Sequence, residues 1–250
     1  MTDVEAVILD FIGTLTHVTE FSLEKSKLKL YKSLVKAGFN VAETDFLNAY
    51  NQSYEESRLK RYNELVEVTD AVWVARALSR LGFETDPEDL RVKTAVAVFF
   101  QDYLNSMELN QCAEQLLSRI SKQYKTGLIS NFTYAPVIYA ALRKLKIKKF
   151  FNAVLVSEDV GWRKPNKKIF QEALRRLDVN AKETVYVGDC PSEDIGGAGA
   201  MGMNTVFVPS QFYSLEDLTE SKQKPDLIVK NICELQKIFP KFIKNVQEKP

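Results

Sequence analysis

The chain has 250 residues, of which 45% are apolar and 27% are charged, and this balance is typical of a folded globular protein. Its formal net charge of +1 gives no indication of a general affinity for nucleic acid or for an anionic membrane surface. Three widely spaced cysteines, Cys112, Cys190 and Cys233, argue against a disulfide framework and against a zinc site. The first apolar run is too short for a signal peptide or a membrane span, which predicts a cytoplasmic protein.

The first predicted element is a strand over residues 4–10, in which an apolar run ends at Asp10. Helical spacing of apolar residues then dominates for about a hundred residues. The pair Asp86-Pro87 predicts the start of the last long helix in this stretch, because proline is favoured in a first turn. We therefore predict an inserted, all-helical cap domain over residues 18–108, placed to act as a lid over a site.

Beyond residue 123 the pattern alternates between strand and helix. Predicted strands lie at 126–130, 153–156, 184–188, 204–208 and 226–229. The final helix is predicted over 231–239, followed by a frayed tail. Such alternation predicts an α/β fold with a doubly wound, Rossmann-like parallel sheet. Residues 1–17 and 109–250 would together form this core.

Polar residues follow several of the predicted strands directly. Asp10, Ser130 and Asp189 each end an apolar run, and ligands bind at the carboxyl edge of open α/β sheets. Asp194 follows Asp189 by five residues, and Lys164 lies between the strands predicted at 153–156 and 184–188. A hydroxyl, an ammonium group and several carboxylates would meet in one crevice, which predicts a site that handles phosphate.

In this order the motifs resemble those of the haloacid-dehalogenase-like hydrolase superfamily, in its helical-cap (subfamily I) form. The matching residues are Asp10-x-Ile12-Gly13-Thr14-Leu15, Ser130, Lys164 and Gly188-Asp189-x4-Asp194. Residues 129–132 and 157–174 further resemble a branch sometimes described as rhythmically-expressed-gene-like. Members of that branch can lack the second acid of the first motif, a position that Ile12 holds here.

The residue types agree with phosphatase chemistry. Asp10 is the candidate nucleophile for an aspartyl-phosphate, and Lys164 would neutralise the charge of Asp10 and of the substrate. Thr14, Ser130 and Asn131 are candidates for binding phosphoryl oxygens, although Asn131 also fits a turn-forming role.

Two hard carboxylate ligands, Asp10 and Asp189, suit Mg²⁺. The resemblance implies that the backbone carbonyl of Ile12 is a further metal ligand. Asp194 would orient a metal-bound water or Lys164, or it would simply favour the start of the following helix.

Ile12 leaves three functions open, because an acid at this position in family phosphatases protonates the leaving group and activates water. The first is a phosphatase that is slow or selective for good leaving groups and acts on a small phosphorylated metabolite. The second is a catalytically silent protein that binds phosphate or a metabolite. The third is a 2-haloacid dehalogenase, against which the phosphatase-like fourth motif and Phe170, where dehalogenases have tyrosine, both count. The only histidine, His17, is a candidate replacement acid or a plain hinge residue.

Substrate choice would depend on the inserted helices. Arg58, Lys60, Arg61 and Tyr62 are candidates to face the pocket, and a solvated helix face explains them equally well. An aromatic and apolar stripe through Trp73, Phe99, Phe100 and Tyr103 predicts packing inside the lid rather than contact with substrate. Oligomeric state and the identity of the substrate do not follow from the sequence.

Overall fold

A computed structural model of the chain describes residues 3–248. Its strands are β1 (Ala6–Leu9), β2 (Thr16–Val18), β3 (Met107–Leu109), β4 (Lys125–Ser130), β5 (Ala153–Val156), β6 (Thr184–Gly188), β7 (Asn204–Phe207) and β8 (Leu227–Ile228). Six of them form one parallel sheet in the order β5-β4-β1-β6-β7-β8, and β2 pairs with β3 in a small antiparallel sheet. The predicted α/β doubly wound sheet is therefore confirmed.

The register of the central strands decides which residues meet at the carboxyl edge. Leu9 of β1 is paired with Leu128 on one side and with Val187 on the other. All of β1 is fully buried, as expected for a strand covered on both faces. Asp10, Ser130 and Asp189, which follow or end these three strands, consequently emerge side by side.

The helices occupy two parts of the chain. They are α1 (Leu23–Lys36), α2 (Glu43–Glu64), α3 (Asp70–Arg80), α4 (Leu90–Ser106), α5 (Ala113–Ile120), α6 (Ala135–Lys144), α7 (Ser157–Val160), α8 (Lys167–Leu177), α9 (Gly197–Ala200), α10 (Leu215–Ser221) and α11 (Ile232–Gln247). A π-helical turn, Pro191–Gly196, precedes α9. No helix among residues 3–248 combines the length and the apolar character needed to cross a bilayer.

Helices α1–α4 lie between β2 and β3, and we call them the helical insertion. The division into a core of residues 1–17 and 109–250 and a cap of residues 18–108 stays a prediction. The helix predicted from Asp86-Pro87 begins three residues later, at Leu90. The helix begins there because Asp89 is its N-cap: the Asp89 side chain accepts a hydrogen bond from the Arg91 backbone N–H. Proline has no side-chain oxygen that could accept such a bond.

The C-terminal helix is longer than predicted. We expected it to end near residue 239, yet α11 continues through Pro240 to Gln247. Proline removes one backbone hydrogen bond from a helix interior. Phe242, Ile243 and Val246 beyond it are buried against the core, and burial of these side chains offsets that loss.

The expectation that no disulfide forms is wrong. Cys112, at the start of α5, and Cys233, in the first turn of α11, are joined although 121 residues separate them in sequence. Sequence spacing carries no information about this pair, because packing of α11 on α5 alone brings the two residues together. Cys190 is buried and remains a free thiol.

We predict that the protein unfolded in guanidinium without reductant will titrate one thiol per chain, and that reduction will raise this to three. Reduction should also lower the free energy of unfolding by about 2–4 kcal/mol, because the bridge restricts a long loop in the unfolded chain. The Cys190→Ser variant is the control and should titrate no thiol before reduction. Three reactive thiols in the unreduced wild type would contradict the bridge.

Candidate active site

The candidate site is built around Asp10, which follows β1 at the centre of the sheet. Its backbone N–H donates to the carbonyl of Val187, 2.9 Å away, and this bond holds the residue against β6. The residue is 6% exposed. Oδ1 accepts a hydrogen bond from Lys164 Nζ at 2.6 Å, whereas Oδ2 is buried and has no hydrogen-bond partner among the described residues. The free oxygen is the one available for attack on a substrate or for a cation.

Lys164 is fully buried and lies between two carboxylates. Its Nζ is 2.6 Å from Asp10 Oδ1 and 2.7 Å from Asp194 Oδ1, and it also donates to the carbonyl of Ile129. Asn131 fixes the backbone of this lysine, because its Oδ1 accepts from the Lys164 N–H and its Nδ2 donates to the Lys164 carbonyl. The Lys164-Pro165 peptide bond is cis. The hydrogen bonds to its backbone and to Nζ hold the ammonium group of Lys164 in one place.

Asp194 lies beside Lys164 and accepts hydrogen bonds through both of its oxygens. Its Oδ2 accepts hydrogen bonds from the backbone N–H groups of Asp189 and Cys190, and its Oδ1 accepts from Lys164 and from the hydroxyl of Tyr186. Both oxygens are engaged in this way, so Asp194 acts on the site through Lys164 and the Asp189 backbone.

Asp189 stands on the other side of Asp10. Its Oδ1 accepts from the Thr14 hydroxyl at 3.3 Å and its Oδ2 accepts from the Ser210 hydroxyl at 2.6 Å. Gly13, with a φ of +98°, passes so close that a Cβ there would lie 2.2 Å from Asp189 Oδ2. Only glycine combines this left-handed backbone with the close approach.

Burial dominates the electrostatics of Asp10 and Asp189. Desolvation raises the pKa of Asp10 to about 6 although Lys164 opposes the shift, and desolvation together with repulsion from Asp10 and Asp194 raises the pKa of Asp189 to about 8. Burial alone would lower the pKa of Lys164, yet Asp10 and Asp194 raise it well above its ordinary value. Lys164 is therefore charged. Its single positive charge is not enough for Asp10 and Asp189 to be ionised easily at the same time.

The donor set fits a hard divalent cation. Ligand oxygens of Asp10, Asp189 and Asp194 lie within 4.8 Å of one another. Asp10 Oδ2 has no hydrogen-bond partner among the described residues, and the pKa values of Asp10 and Asp189 are both raised. A pair of carboxylates behaves in this way when the positive charge beside it does not balance their negative charge. Carboxylate oxygen is the ligand that Mg²⁺ prefers.

These groups face a cavity of about 360 Å³ between the sheet edge and the helical insertion. Asp10, Ile12, Ser130, Lys164 and Asp189 are among the residues that line it. Side chains that complete the wall are Tyr62, Tyr103, Asn131, Phe132, Cys190, Glu193, Asp194, Phe212 and Tyr213. The cavity therefore brings together charged groups and an aromatic rim.

Two predicted substrate contacts have other partners. The Thr14 side chain is fully buried and is bonded to Asp189, so it does not reach the cavity. The Asn131 amide is occupied by Lys164 and Glu193, which makes it a support for the lysine. Ser130 does line the cavity.

His17 lies outside the cavity that contains Asp10. Its Nδ1 is 2.9 Å from Asn110 Oδ1, and its Nε2 is 3.8 Å from Glu108 on the neighbouring strand β3. This ring lines a separate polar cleft beside Gly13 and Cys233. The structure gives no support to His17 as the replacement acid.

Sequence reasoning missed Tyr186 and Ser210. Tyr186 lies inside the apolar strand β6, where an aromatic residue indicates only packing, yet its hydroxyl bonds Asp194 and lies 3.2 Å from Lys164 Nζ. Ser210 follows β7 by three residues at the same sheet edge. Polar residues a short way beyond each parallel strand were the signal that could have identified Ser210.

A second set of charges links the core to the helical insertion. Glu67, between α2 and α3, is 3.3 Å from Arg163 Nη1 and 4.0 Å from Arg61 Nη1. The Glu67 backbone N–H donates to the carbonyl of Gly161, and Arg163 also reaches Glu193. The residue before Lys164 is thus tied directly to the helical insertion.

Asp70, the first residue of α3, is also buried. Desolvation raises its pKa to about 8 from an ordinary value of 3.8, and a hydrogen bond with Thr133 only partly opposes this. Between those two values the folded protein holds a proton that the unfolded chain has lost. Its free energy of unfolding must therefore fall as the pH rises through this range.

We expect the Asp70→Asn variant to lack that part of the pH dependence. Between pH 5 and pH 8 the wild type should lose about 2–4 kcal/mol more stability than the variant. Urea denaturation of both proteins at several pH values measures the difference, and any contribution from Asp10 or Asp189 cancels in it. Parallel profiles would mean that Asp70 titrates normally.

Comparison with known proteins agrees with the order of these motifs. Residues 7–208 match the family described as haloacid dehalogenase-like hydrolase. The chain belongs to this family.

Individual relatives extend over nearly the whole chain. The sequence is 28% identical to a glyceraldehyde 3-phosphate phosphatase of Methanopyrus kandleri over 97% of this chain and 100% of the relative. Among solved structures, a 2-haloacid dehalogenase of Pseudomonas syringae superposes with a TM-score of 0.70 over 97% of this chain and 99% of the other, at 22% identity. A hydrolase of Bacillus subtilis, YfnB, solved with bound magnesium, has a TM-score of 0.57 over 95% of this chain and 99% of the other, at 20% identity. At these identities the two structures support the fold alone.

Proposed function

We propose that this hydrolase is a phosphatase that forms an aspartyl-phosphate on Asp10 and is selective for good leaving groups. The observation that carries the proposal is the free oxygen of Asp10, a residue that lines the cavity together with Lys164 and Asp189. A relative named as a phosphatase, similar over the full length, supports the same class of substrate, a small phosphorylated molecule.

In the first step Asp10 Oδ2 attacks phosphorus. A bond forms between this oxygen and phosphorus while the bond to the leaving oxygen breaks, and the leaving oxygen keeps the electron pair. The positive charge of Lys164 reduces the repulsion between the incoming phosphoryl group and Asp10. Asp194, on the other side of Lys164, holds the ammonium group in place. In the second step water attacks phosphorus and gives a proton to solvent, while the bond between phosphorus and Asp10 Oδ2 breaks with its electron pair on Oδ2, which releases phosphate and restores the Asp10 carboxylate.

We propose Mg²⁺ as the cofactor, held by Asp10, Asp189 and the backbone carbonyl of Ile12. The ion supplies neutralisation of phosphoryl charge when it is bound. Thr14 and Ser210 fix the two oxygens of Asp189, and Asp194 fixes its backbone, so this carboxylate is oriented before any ligand arrives.

Ile12 limits the range of leaving groups. It lines the cavity at the position two residues after Asp10 and has no proton to give. A missing general acid typically costs about 10²–10⁴ in rate where the leaving group needs a proton. The phenolate of an aryl phosphate and the carboxylate of an acyl phosphate leave without a proton. These compounds are therefore expected to react, whereas simple alkyl phosphates are expected to react slowly.

The test is hydrolysis of p-nitrophenyl phosphate by protein treated with a chelator, with and without added Mg²⁺. We expect turnover that requires Mg²⁺, and much slower release of phosphate from glycerol 3-phosphate. Phosphate binding without turnover of any ester would favour the silent binding protein instead. Release of chloride from 2-chloropropionate would favour the dehalogenase.

A further inference from the structure

A second cavity, of about 230 Å³, lies inside the helical insertion and adjoins the catalytic cavity. Tyr103 and Phe132 line both spaces, so they form the boundary between them. Aromatic rings make up most of the remaining wall: Tyr50 and Tyr54 from α2, Trp73 from α3, and Phe99 and Phe100 from α4. Rings predicted to form only the packing of a lid therefore enclose an open space.

Three side chains that line this aromatic cavity, Arg61, Asp70 and Trp73, each hold a buried polar atom without a hydrogen-bond partner among the described residues. Arg61 and Asp70 are 7% and 4% exposed, and both line the space. Arg61 Nε and Asp70 Oδ2 are buried without a hydrogen-bond partner among the described residues. The Arg61 guanidinium lies 5.3 Å from the Trp73 ring centre, which holds its plane beside the rings. Buried polar atoms without partners are costly, and a ligand group that bonds them would remove the cost.

We propose that this cavity receives the leaving group of the substrate, and that this group is an aromatic alcohol with a polar substituent. Its ring would lie among the rings of α2, α3 and α4, with the substituent hydrogen-bonded to Arg61 and Asp70. This inference rests on the proposed function and specifies its substrate class as phosphate monoesters of phenols.

The chemistry of the catalytic cavity leads independently to the same class. Ile12 cannot protonate a leaving oxygen, and a phenolate does not need a proton to leave. When the bond from phosphorus to the phenolic oxygen breaks, that oxygen keeps the electron pair, and it takes a proton from solvent after release. A three-carbon aliphatic phosphate would leave the aromatic cavity unfilled and Arg61 Nε and Asp70 Oδ2 without partners.

Binding of phosphonates, which cannot be hydrolysed, tests the cavity separately from turnover. In Trp162→Phe protein, Trp73 is the single tryptophan, and its fluorescence reports ligand in the cavity. We expect benzylphosphonate to bind at least about tenfold more tightly than methylphosphonate and to change Trp73 emission. Equal affinity for the two phosphonates would overturn the inference.

A pair of nearly equal size tests the polar end. We expect 4-(hydroxymethyl)benzylphosphonate to bind at least about tenfold more tightly than 4-ethylbenzylphosphonate, because only the former can bond Arg61 and Asp70. This ratio should fall below about threefold in Asp70→Leu and in Arg61→Met, because neither new side chain can bond the hydroxyl group. Arg58→Met is the matched control, since Arg58 lies on the same helix but pairs with Glu55 at the surface, and it should keep the full ratio.

The possible failures are distinguishable. If Arg61→Met does not fold, Asp70→Leu and the wild-type ratio decide the question. Rapid turnover of acyl phosphates with no preference for ring-bearing phosphonates would leave the phosphatase proposal intact and overturn the cavity assignment. Tight binding of benzylphosphonate without hydrolysis of any phosphate ester would support the cavity assignment and reject the phosphatase.

Discussion

The Asp10→Asn variant is expected to hydrolyse p-nitrophenyl phosphate at least about 10³-fold more slowly than the wild type, because an amide cannot replace the attacking carboxylate. Asparagine has almost the same shape, so the Val187 backbone contact is expected to remain. The variant also removes the negative partner of Lys164 Nζ, which leaves that lysine paired with Asp194 alone. The comparison is made in kcat at saturating Mg²⁺.

Asp45→Asn is a matched control for this experiment. It makes the same chemical change at an exposed residue in the first turn of α2, away from the residues that line the catalytic cavity. Its kcat should equal that of the wild type. Acid quenching during turnover should add one phosphoryl group to the mass of the wild type and none to that of Asp10→Asn. More than a tenth of the activity in Asp10→Asn would remove Asp10 from the role of nucleophile.

The carboxyl edge of the sheet was the most predictable part of the molecule. Asp10, Ser130 and Asp189 end long apolar runs, and parallel strands that are buried on both faces require such runs. Their meeting follows from topology alone, because neighbouring parallel strands all point the same way. The spacing of β1 from the strands after residue 123 also predicted that the helices between them form an insertion.

What sequence could not predict depends on contacts between distant segments. The bridge between Cys112 and Cys233 and the extension of α11 past Pro240 both depend on the packing of α11 against the core. The same is true of the contact between Glu67 and Arg163, since neither residue lies in a motif that predicts the other. Local propensity describes a segment in isolation, and these features belong to pairs of segments.

Thr14 and Asn131 show how one residue type permits two roles. Both are predicted candidates for binding phosphoryl oxygens, with a turn-forming role as the alternative for Asn131, and substrate contact stays a prediction. In the structure the Thr14 hydroxyl donates to Asp189, and Asn131 Oδ1 accepts from the Lys164 backbone N–H. A hydroxyl or an amide next to a charged residue in sequence can equally support that residue, and only the geometry distinguishes the two roles.

Ile12→Asp is expected to raise kcat/KM for alkyl phosphates such as glycerol 3-phosphate by about 10²–10⁴, because an acid at this position can protonate the leaving alkoxide. The same change should alter kcat/KM for p-nitrophenyl phosphate by less than about tenfold, since kcat/KM reports the steps up to departure of the leaving group and that leaving group needs no proton. Ile12 is half-buried and lines the cavity, so an aspartate there would face the space that substrate enters.

Ile12→Asn separates proton transfer from polarity, because asparagine has the size of aspartate but cannot donate a proton to the leaving oxygen. We expect no gain on glycerol 3-phosphate in this variant. Equal gains in the Asp and Asn variants would mean that Ile12 obstructs the substrate rather than lacks an acid. A gain confined to aspartate would mean that the remaining machinery, Asp10, Lys164 and Asp189, is competent for general phosphatase chemistry. Selectivity for the leaving group would then rest on the single side chain at position 12.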